Sequence, residues 1–207
     1  MKRIYIIILC AAAIAATAMA QSARWGVTVG GAYTNLHFNQ SLIEVSGTGG
    51  VTAGLKGEFN IAGIGFGLEG ALLYDMRGAN VDMTDLKVWT SQGYGKERLY
   101  LHTLNIPIHL RYMYQKLEGF EHKVAPFVFA GPQFCINVGN NLKEVFETPG
   151  LTFSLQFGLG ARLYDHWQVA FIYDWGISYA VRTKLLDDYS ARNRAWKLQL
   201  TYFFGDY

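Results

Sequence analysis

The chain has 207 residues, of which 51% are hydrophobic, 15% aromatic and only 16% charged. An average soluble domain carries about 25% charged residues, so this sequence is poor in charge, and its hydrophobic content excludes intrinsic disorder. Its 23 glycines follow no three-residue period, which excludes a collagen-like helix. The net charge of +2 comes from Lys2 and Arg3, because the other 16 basic and 16 acidic residues balance. Such a balance does not suggest a nucleic-acid partner.

Residues 1–20 have the layout of a secretory signal peptide. The basic pair at positions 2 and 3 precedes an apolar stretch, Ile4–Ala16, and Ala18-Met19-Ala20 forms an A-x-A cleavage pattern before Gln21. An uncleaved anchor helix is the alternative, but the 17 residues from Ile4 to Ala20 are few for a membrane span. We therefore expect a mature chain of one domain, residues 21–207.

Two cysteines bear on processing and redox chemistry. Cys10 lies inside the apolar stretch instead of after it, which argues against a lipid-modified cysteine. Cys135 is then the single cysteine of the mature chain, so an internal disulfide is excluded. Its simplest interpretation is a small hydrophobic residue.

Apolar and polar residues alternate with a period of two along the mature chain, which is the signature of β-strands. In one segment Leu55 and Phe59 point to one side while Lys56 and Glu58 point to the other. The pattern is clearest in Val51–Ile61, Leu151–Leu163, Trp167–Val181 and Trp196–Phe204, and weaker in Trp25–Phe38, Phe66–Met76, Leu99–Tyr114 and Val124–Val138. The sequence therefore predicts eight strands.

The connectors between these segments alternate in length. The long ones are Asn39–Gly50, Arg77–Arg98, Gly139–Gly150 and Thr183–Asn193, and the shorter ones are Ala62–Gly65, Gln115–Lys123 and Asp165–His166. This layout is typical of an all-β, eight-stranded antiparallel up-and-down transmembrane barrel with both termini in the periplasm. In a soluble periplasmic lipocalin-like carrier the connectors alternate in length in the same way, so connector length does not decide which face of the barrel contacts water.

The polar face favours the membrane barrel. It consists mostly of Gly, Ser, Thr, Gln and Asn, and its few charges nearly cancel, as expected of side chains that pair inside a narrow lumen. We predict a lumen polar network of Lys56, Glu58, Glu69, Asp75, Arg111, Arg162, Asp174 and Lys197, with Arg182 on the same face.

Aromatic residues on the apolar face gather near the strand ends, where rings settle at membrane interfaces. The short-turn end has Trp25, Phe59, Phe66, Tyr112, Trp167 and Tyr202; the loop end has Tyr33, Tyr74, Tyr100, Phe134, Phe153, Trp175, Tyr179 and Trp196. Aromatic β-formers packing an ordinary core are the alternative. The low charge favours two membrane belts.

Three prolines disturb this pattern. Pro107, Pro126 and Pro132 fall within predicted strands, and a closed barrel has no edge at which a missing N–H is harmless. We expect bulges or local fraying at these positions.

The strands that carry these prolines resemble a known family. Leu104–Tyr112 reads LNIPIHLRY and Ala125–Pro132 reads APFVFAGP, similar to the successive "(L)xIPxxLxY" and "P-aromatic-x-x-AGP" strands of PorT-like outer-membrane β-barrel proteins. The resemblance covers the mature chain in layout and these two strands in motif. It implies an OmpX-sized, eight-stranded barrel in a Gram-negative outer membrane, with prolines at these points. It implies little about activity, and the secretion role of the name-giving member is not carried over.

Catalytic and metal-binding patterns are sparse, so we expect no enzyme and no cofactor. A lipid-modifying enzyme of the outer membrane is the alternative, and it would need His37 or His102, near the loop end, beside a serine and an acid. No serine stands two residues from any of the five histidines, as adjacent inward positions on one strand require. The sequence has no H-x-H or C-x-x-C motif with metal spacing.

Eight strands enclose a lumen that side chains can fill, which argues against an open pore. The expected function is therefore structural or a loop-mediated interaction. Trp89, in the Arg77–Arg98 loop, is a candidate contact for a protein partner, although it could instead pack within its own hairpin. Other expected partners are outer-membrane lipid, lipopolysaccharide and, during insertion, the barrel-assembly machinery, with the mature protein a monomer.

Overall fold

The computed structural model describes residues 23–38, 44–61, 65–82, 96–114, 123–140, 146–147, 149–183 and 190–205. Their strands are β1 (Ala23–Phe38), β2 (Glu44–Asn60), β3 (Phe66–Asp82), β4 (Lys96–Met113), β5 (Val124–Asn140), β6 (Phe146–Glu147), β7 (Leu151–Leu163), β8 (Trp167–Thr183) and β9 (Ser190–Phe204). None of the described residues belongs to a helix long and apolar enough to cross a membrane.

The eight long strands close into an antiparallel barrel. Each pairs with the next long strand along the chain, and β1 pairs with β9, so that Trp25 lies opposite Phe204 and the sheet has no free edge. The two-residue β6 only extends the sheet at β8. The predicted eight-stranded up-and-down barrel is confirmed.

The two faces of the barrel wall differ in polarity, and the apolar face points outward. Trp25 is 64% and Leu159 60% exposed, whereas Lys56 and Gln156, on the other face, are buried. A soluble lipocalin-like carrier requires the reverse, a polar outer face around an apolar cavity. The alternative of a soluble periplasmic carrier is therefore wrong.

Several strands extend beyond the predicted segments toward the loop end. β3 continues to Asp82 and β4 begins at Lys96, so both ends of the predicted connector Arg77–Arg98 belong to paired strands. β2 and β9 also begin before the predicted segments, at Glu44 and Ser190. Backbone pairing continues here without apolar alternation, because the ladder uses main-chain groups that every non-proline residue has.

The turn between β7 and β8 has three residues, 164–166, and therefore includes Tyr164 in addition to the two predicted, Asp165 and His166. Leu163 pairs with Trp167, and the left-handed residues of the turn are Tyr164 (φ 49°) and Asp165 (φ 59°). Aspartate tolerates this conformation better than tyrosine does. The backbone oxygen of Asp165 accepts a hydrogen bond from the Arg24 Nη1 atom at 2.9 Å, which ties the turn to the lumen.

The prolines are accommodated without a change of register. Pro107 pairs with Gln133 and pairing resumes at Leu110 with Ala130, so the two strands remain in step across the interval. The register shift between β4 and β5 occurs instead between His102 and Thr103. Pro126 and Pro132 pair with Ala161 and Leu155 in a continuous β5–β7 register. The bulges expected at the three prolines, one of the two predicted outcomes, are therefore not what these strands have.

Candidate functional site: the polar lumen

The lumen of the barrel is filled with long polar side chains. All eight residues of the predicted network are buried inside it, and Arg111, Arg162 and Lys197 are each only 1% exposed. Period-two alternation places them there, since every second residue of a strand faces inward. They divide into two clusters, one near the short turns and one near the loops.

The turn-side cluster consists of Arg24, Lys56, Glu58, Glu69, Arg111 and Arg162. Glu58 is its centre, because Arg24 contacts Oε1 at 2.7 Å while Arg111, at 2.6 Å, and Arg162 both contact Oε2. Glu69 receives a second bond from Arg111 at 2.8 Å and lies 3.4 Å from the Lys56 ammonium. One carboxylate thus joins three arginines from three strands.

Aromatic rings surround these cations. The Arg24 and Arg162 guanidinium groups lie 5.3 and 5.7 Å from the centre of the Phe203 ring. Arg111 lies 5.8 Å from Phe127. A cation within about 6 Å of a ring centre is attracted by the negative face of the ring. In this cluster four cations share two carboxylates, and the aromatic rings add to the stabilisation of the arginines.

The loop-side cluster consists of Asp75, Arg77, Asp174 and Lys197. Arg77 contacts Asp75 at 3.0 Å and Asp174 at 3.1 Å, and Lys197 also contacts both carboxylates, Asp174 at 3.3 Å. Two cations thus share two carboxylates. If either cation is removed, each carboxylate still contacts the remaining one.

Neutral polar groups complete the loop-side cluster. The amide groups of Asn105 and Gln133 donate to Asp75 at 2.5 Å and to Asp174 at 3.2 Å. The buried thiol of Cys135 accepts a bond from the Gln133 amide at 2.9 Å. These bonds go to Oδ2 of each carboxylate and satisfy part of the hydrogen-bonding capacity of groups that would be costly to bury alone.

His109 lies between the two clusters. Its Nε2 atom is 2.9 Å from the Gln156 amide oxygen, and the Gln156 amide nitrogen donates to Asp174 at 3.2 Å. The imidazole also packs on Phe129, with ring centres 4.7 Å apart. His109 thus extends the loop-side network toward the turn-side half of the lumen.

Sequence reasoning missed two ionic residues of the lumen. Arg24 precedes the first predicted strand and Arg77 was assigned to a connector, yet both lie in phase with inward neighbours, Thr28 and Asp75. Extending the alternation by one step at each strand end would have found them. The Asn105, Gln133 and Gln156 amides were also not singled out.

Other predicted site residues lie elsewhere. Trp89, the signal peptide and the side chains of His37 and Arg182 are outside the described residues. The His102 imidazole, on the outer side of the wall, is 2.6 Å from the Tyr74 hydroxyl. Within the described ranges, no group of three or more His, Cys, Asp or Glu residues could hold a metal ion.

Solved structures similar to this chain include proteins of bacterial outer membranes. OprG from Pseudomonas aeruginosa is 12% identical, with a TM-score of 0.50 over 89% of this chain and 95% of OprG. Neisserial surface protein A is 12% identical with a TM-score of 0.48, over 89% of this chain and all of that protein. Ail of Yersinia pestis, in complex with the heparin analogue sucrose octasulfate, is 12% identical with a TM-score of 0.44 over the same shares. The similarity to OprG shows the fold alone.

Family membership comes from the sequence itself. No curated protein matches the chain. The family described as "Outer membrane protein beta-barrel domain" matches residues 6–204, nearly the full length. The match agrees with the closed barrel and its apolar outer face. The protein therefore belongs to the outer membrane protein β-barrel domain family and lies in the bacterial outer membrane.

Proposed function

We propose that the protein is a non-conducting barrel whose role is structural or is carried by its extracellular loops. The observation behind this proposal is the filled lumen, in which two ion-paired clusters occupy successive levels of the barrel axis. Eight strands leave room for little more than such side chains. Ions crossing this lumen would have to break several buried ion pairs, each costly to separate.

Conductance of the purified, folded protein in planar lipid bilayers tests the closed lumen. We expect no stable current steps, and we expect a double variant, Arg111→Gly with Arg162→Gly, to produce them because it removes two of the largest side chains that block the turn-side half. Heat-modifiable gel migration establishes that both proteins are folded. Reproducible steps from the wild-type protein, absent after boiling, would contradict the proposal.

The loop role rests on the asymmetry of the connectors. The longest connector, residues 83–95, lies at one end of the barrel, and the shortest, residues 164–166, lies at the other, where the end of β9 and the start of β1 also lie. In outer-membrane barrels the long loops are extracellular. A photo-reactive side chain placed at Trp89 should cross-link a macromolecule on intact cells, whereas one at Asp165, in a short turn, should not. Equal cross-linking from both positions would count against a loop-mediated role.

We further propose that the protein is monomeric, PorT-like, made with a cleaved signal peptide, and not an enzyme. His102 contacts Tyr74 and His109 contacts Gln156, partners that do not activate a serine nucleophile. Mass spectrometry of lipid A from cells with and without the protein tests whether the protein is a lipid-modifying enzyme. The spectra should be identical. A mass change lost in His102→Ala or His37→Ala would establish the lipid-modifying alternative.

A further inference from the structure

A deep apolar groove runs along the outer wall of the barrel across β1 to β4. Its volume is about 670 Å³, within the ~300–1,000 Å³ of pockets that bind small ligands. Its walls include Trp25, Leu55, Phe59, Leu68, Leu72 and Ile108. No side chain on these outward positions carries a charge, so the groove is continuous with the lipid-facing surface of the barrel.

Two glycines form the floor of the groove. Gly57 on β2 pairs directly with Gly70 on β3, so that the outer face of the sheet lacks two neighbouring side chains. The Trp25 ring covers one of them, since a Cβ atom at Gly57 would lie 2.9 Å from the indole. Above Gly70 the space is open, because a Cβ atom there would meet nothing within 4 Å.

The groove lies in the half of the barrel nearest the short turns. Phe59 is one residue from the end of β2, and Leu68 is two residues from the start of β3. Short turns of outer-membrane barrels face the periplasm. The groove therefore opens to the periplasmic leaflet, where phospholipids lie, and not to the leaflet that contains lipid A.

We propose that this groove binds one acyl chain of a phospholipid from the periplasmic leaflet. The surrounding solvent at this depth is hydrocarbon, and an acyl chain is the occupant whose chemistry matches the apolar side chains that point outward into the groove. A chain lying over Gly70 would be contacted by the sheet from below and by the flanking apolar side chains, whereas chains elsewhere touch the convex wall on one side. The additional contact area would make this lipid exchange more slowly than its neighbours.

Native mass spectrometry of the full-length protein, extracted from membranes into a mild detergent, measures the bound lipid directly. We expect one retained phospholipid per chain, with phosphatidylethanolamine and phosphatidylglycerol of equal chain length retained equally. Gly70→Leu fills the open floor and should lower the occupancy about tenfold. Gly31→Leu is the matched control, because Gly31 also faces lipid with nothing within 4 Å of its Cβ position but lies outside the groove.

Gly70→Val, which suits a strand, provides a second groove-filling variant if the leucine variant does not fold into a heat-modifiable barrel. Equal lipid retention in the wild-type protein and in both Gly70 variants would overturn the proposal. So would an equal loss in the Gly31→Leu control. A wild-type dimer that dissociates in Gly70→Leu would show instead that a second copy of the chain occupies the groove.

Discussion

The two halves of the lumen neutralise their buried cations in different ways. The turn-side cluster has four cations and two carboxylates, and aromatic rings lie over its arginines. The loop-side cluster has two cations and two carboxylates, which amides and a thiol supplement. Among the described residues, one half thus has more cations than carboxylates and contains aromatic rings, and the other has equal numbers of each and is rich in neutral hydrogen-bonding groups.

This difference shows that ring faces can contribute where four cations share two carboxylates. Ring faces attract a guanidinium without adding a group that must itself be desolvated as an ion. They are weaker than a carboxylate, so the turn-side cluster depends heavily on Glu58, which three arginines share. The loop-side cluster has no single residue of this importance, because Arg77 and Lys197 each contact both Asp75 and Asp174.

Glu58→Gln should therefore have the largest effect of any single change in the lumen. The variant leaves Arg24, Arg111 and Arg162 around a neutral amide, and we expect the free energy of unfolding to fall by about 5 kcal/mol. Urea unfolding of the refolded barrel in lipid vesicles measures this loss. The matched change in the balanced half, Asp174→Asn, should cost about 2 kcal/mol, since both of its cations keep Asp75. Equal losses in the two variants would contradict the proposed difference between the clusters.

Removing a lysine should cost much more stability in the loop-side half than in the turn-side half. Lys197→Met leaves two carboxylates with one arginine and should lower the free energy of unfolding by about 3 kcal/mol. Lys56→Met removes one of four cations from the turn-side cluster, and Glu69 keeps its contact with Arg111. This variant should change the free energy of unfolding by less than about 1 kcal/mol. The same vesicle titration compares them. A larger loss from Lys56→Met than from Lys197→Met would show that the cation excess is not real.

Much of this arrangement could be predicted from the sequence, because inward and outward positions alternate along every strand. Lys56 and Glu58 could be placed inside from their phase relative to Leu55 alone. The ends of the strands were harder to predict, because polar residues there continue the backbone hydrogen-bond ladder without apolar alternation. Arg77 was assigned to a connector for this reason.

The pairing of charges across the lumen could not be predicted. Arg77 and Asp174 are separated by 97 positions, and they meet because of the closure and stagger of the barrel. Phe127 and Phe129 were equally hidden, because both faces of β5 contain apolar residues and alternation gives no contrast there. The aromatic contribution to the turn-side cluster is therefore a property of the structure and not of the pattern.

Phe203→Leu tests that aromatic contribution. Leucine keeps an apolar side chain at this fully buried position but removes the ring face next to Arg24 and Arg162, and we expect a loss of about 1–2 kcal/mol. Leu73→Met, a volume-conserving change at another buried lumen position, is the control and should cost less than about 1.5 kcal/mol. If Phe203→Leu in a Glu58→Gln background costs no more than in the wild type, the ring does not act on the same cations.

Cys135→Ser should have the smallest effect. The thiol accepts hydrogen bonds from Gln133, at 2.9 Å, and from Arg77, at 3.8 Å, and lies 4.0 Å from the Ser154 hydroxyl. A serine hydroxyl can accept and donate in the same way. We expect a change below about 1 kcal/mol in the free energy of unfolding. Cys135→Ala, which leaves the Gln133 amide with fewer acceptors, should cost more than the serine variant. If the serine and alanine variants had equal free energies of unfolding, the thiol would contribute packing alone. The neutral groups would then contribute less to the stability of the loop-side cluster than its ion pairs do.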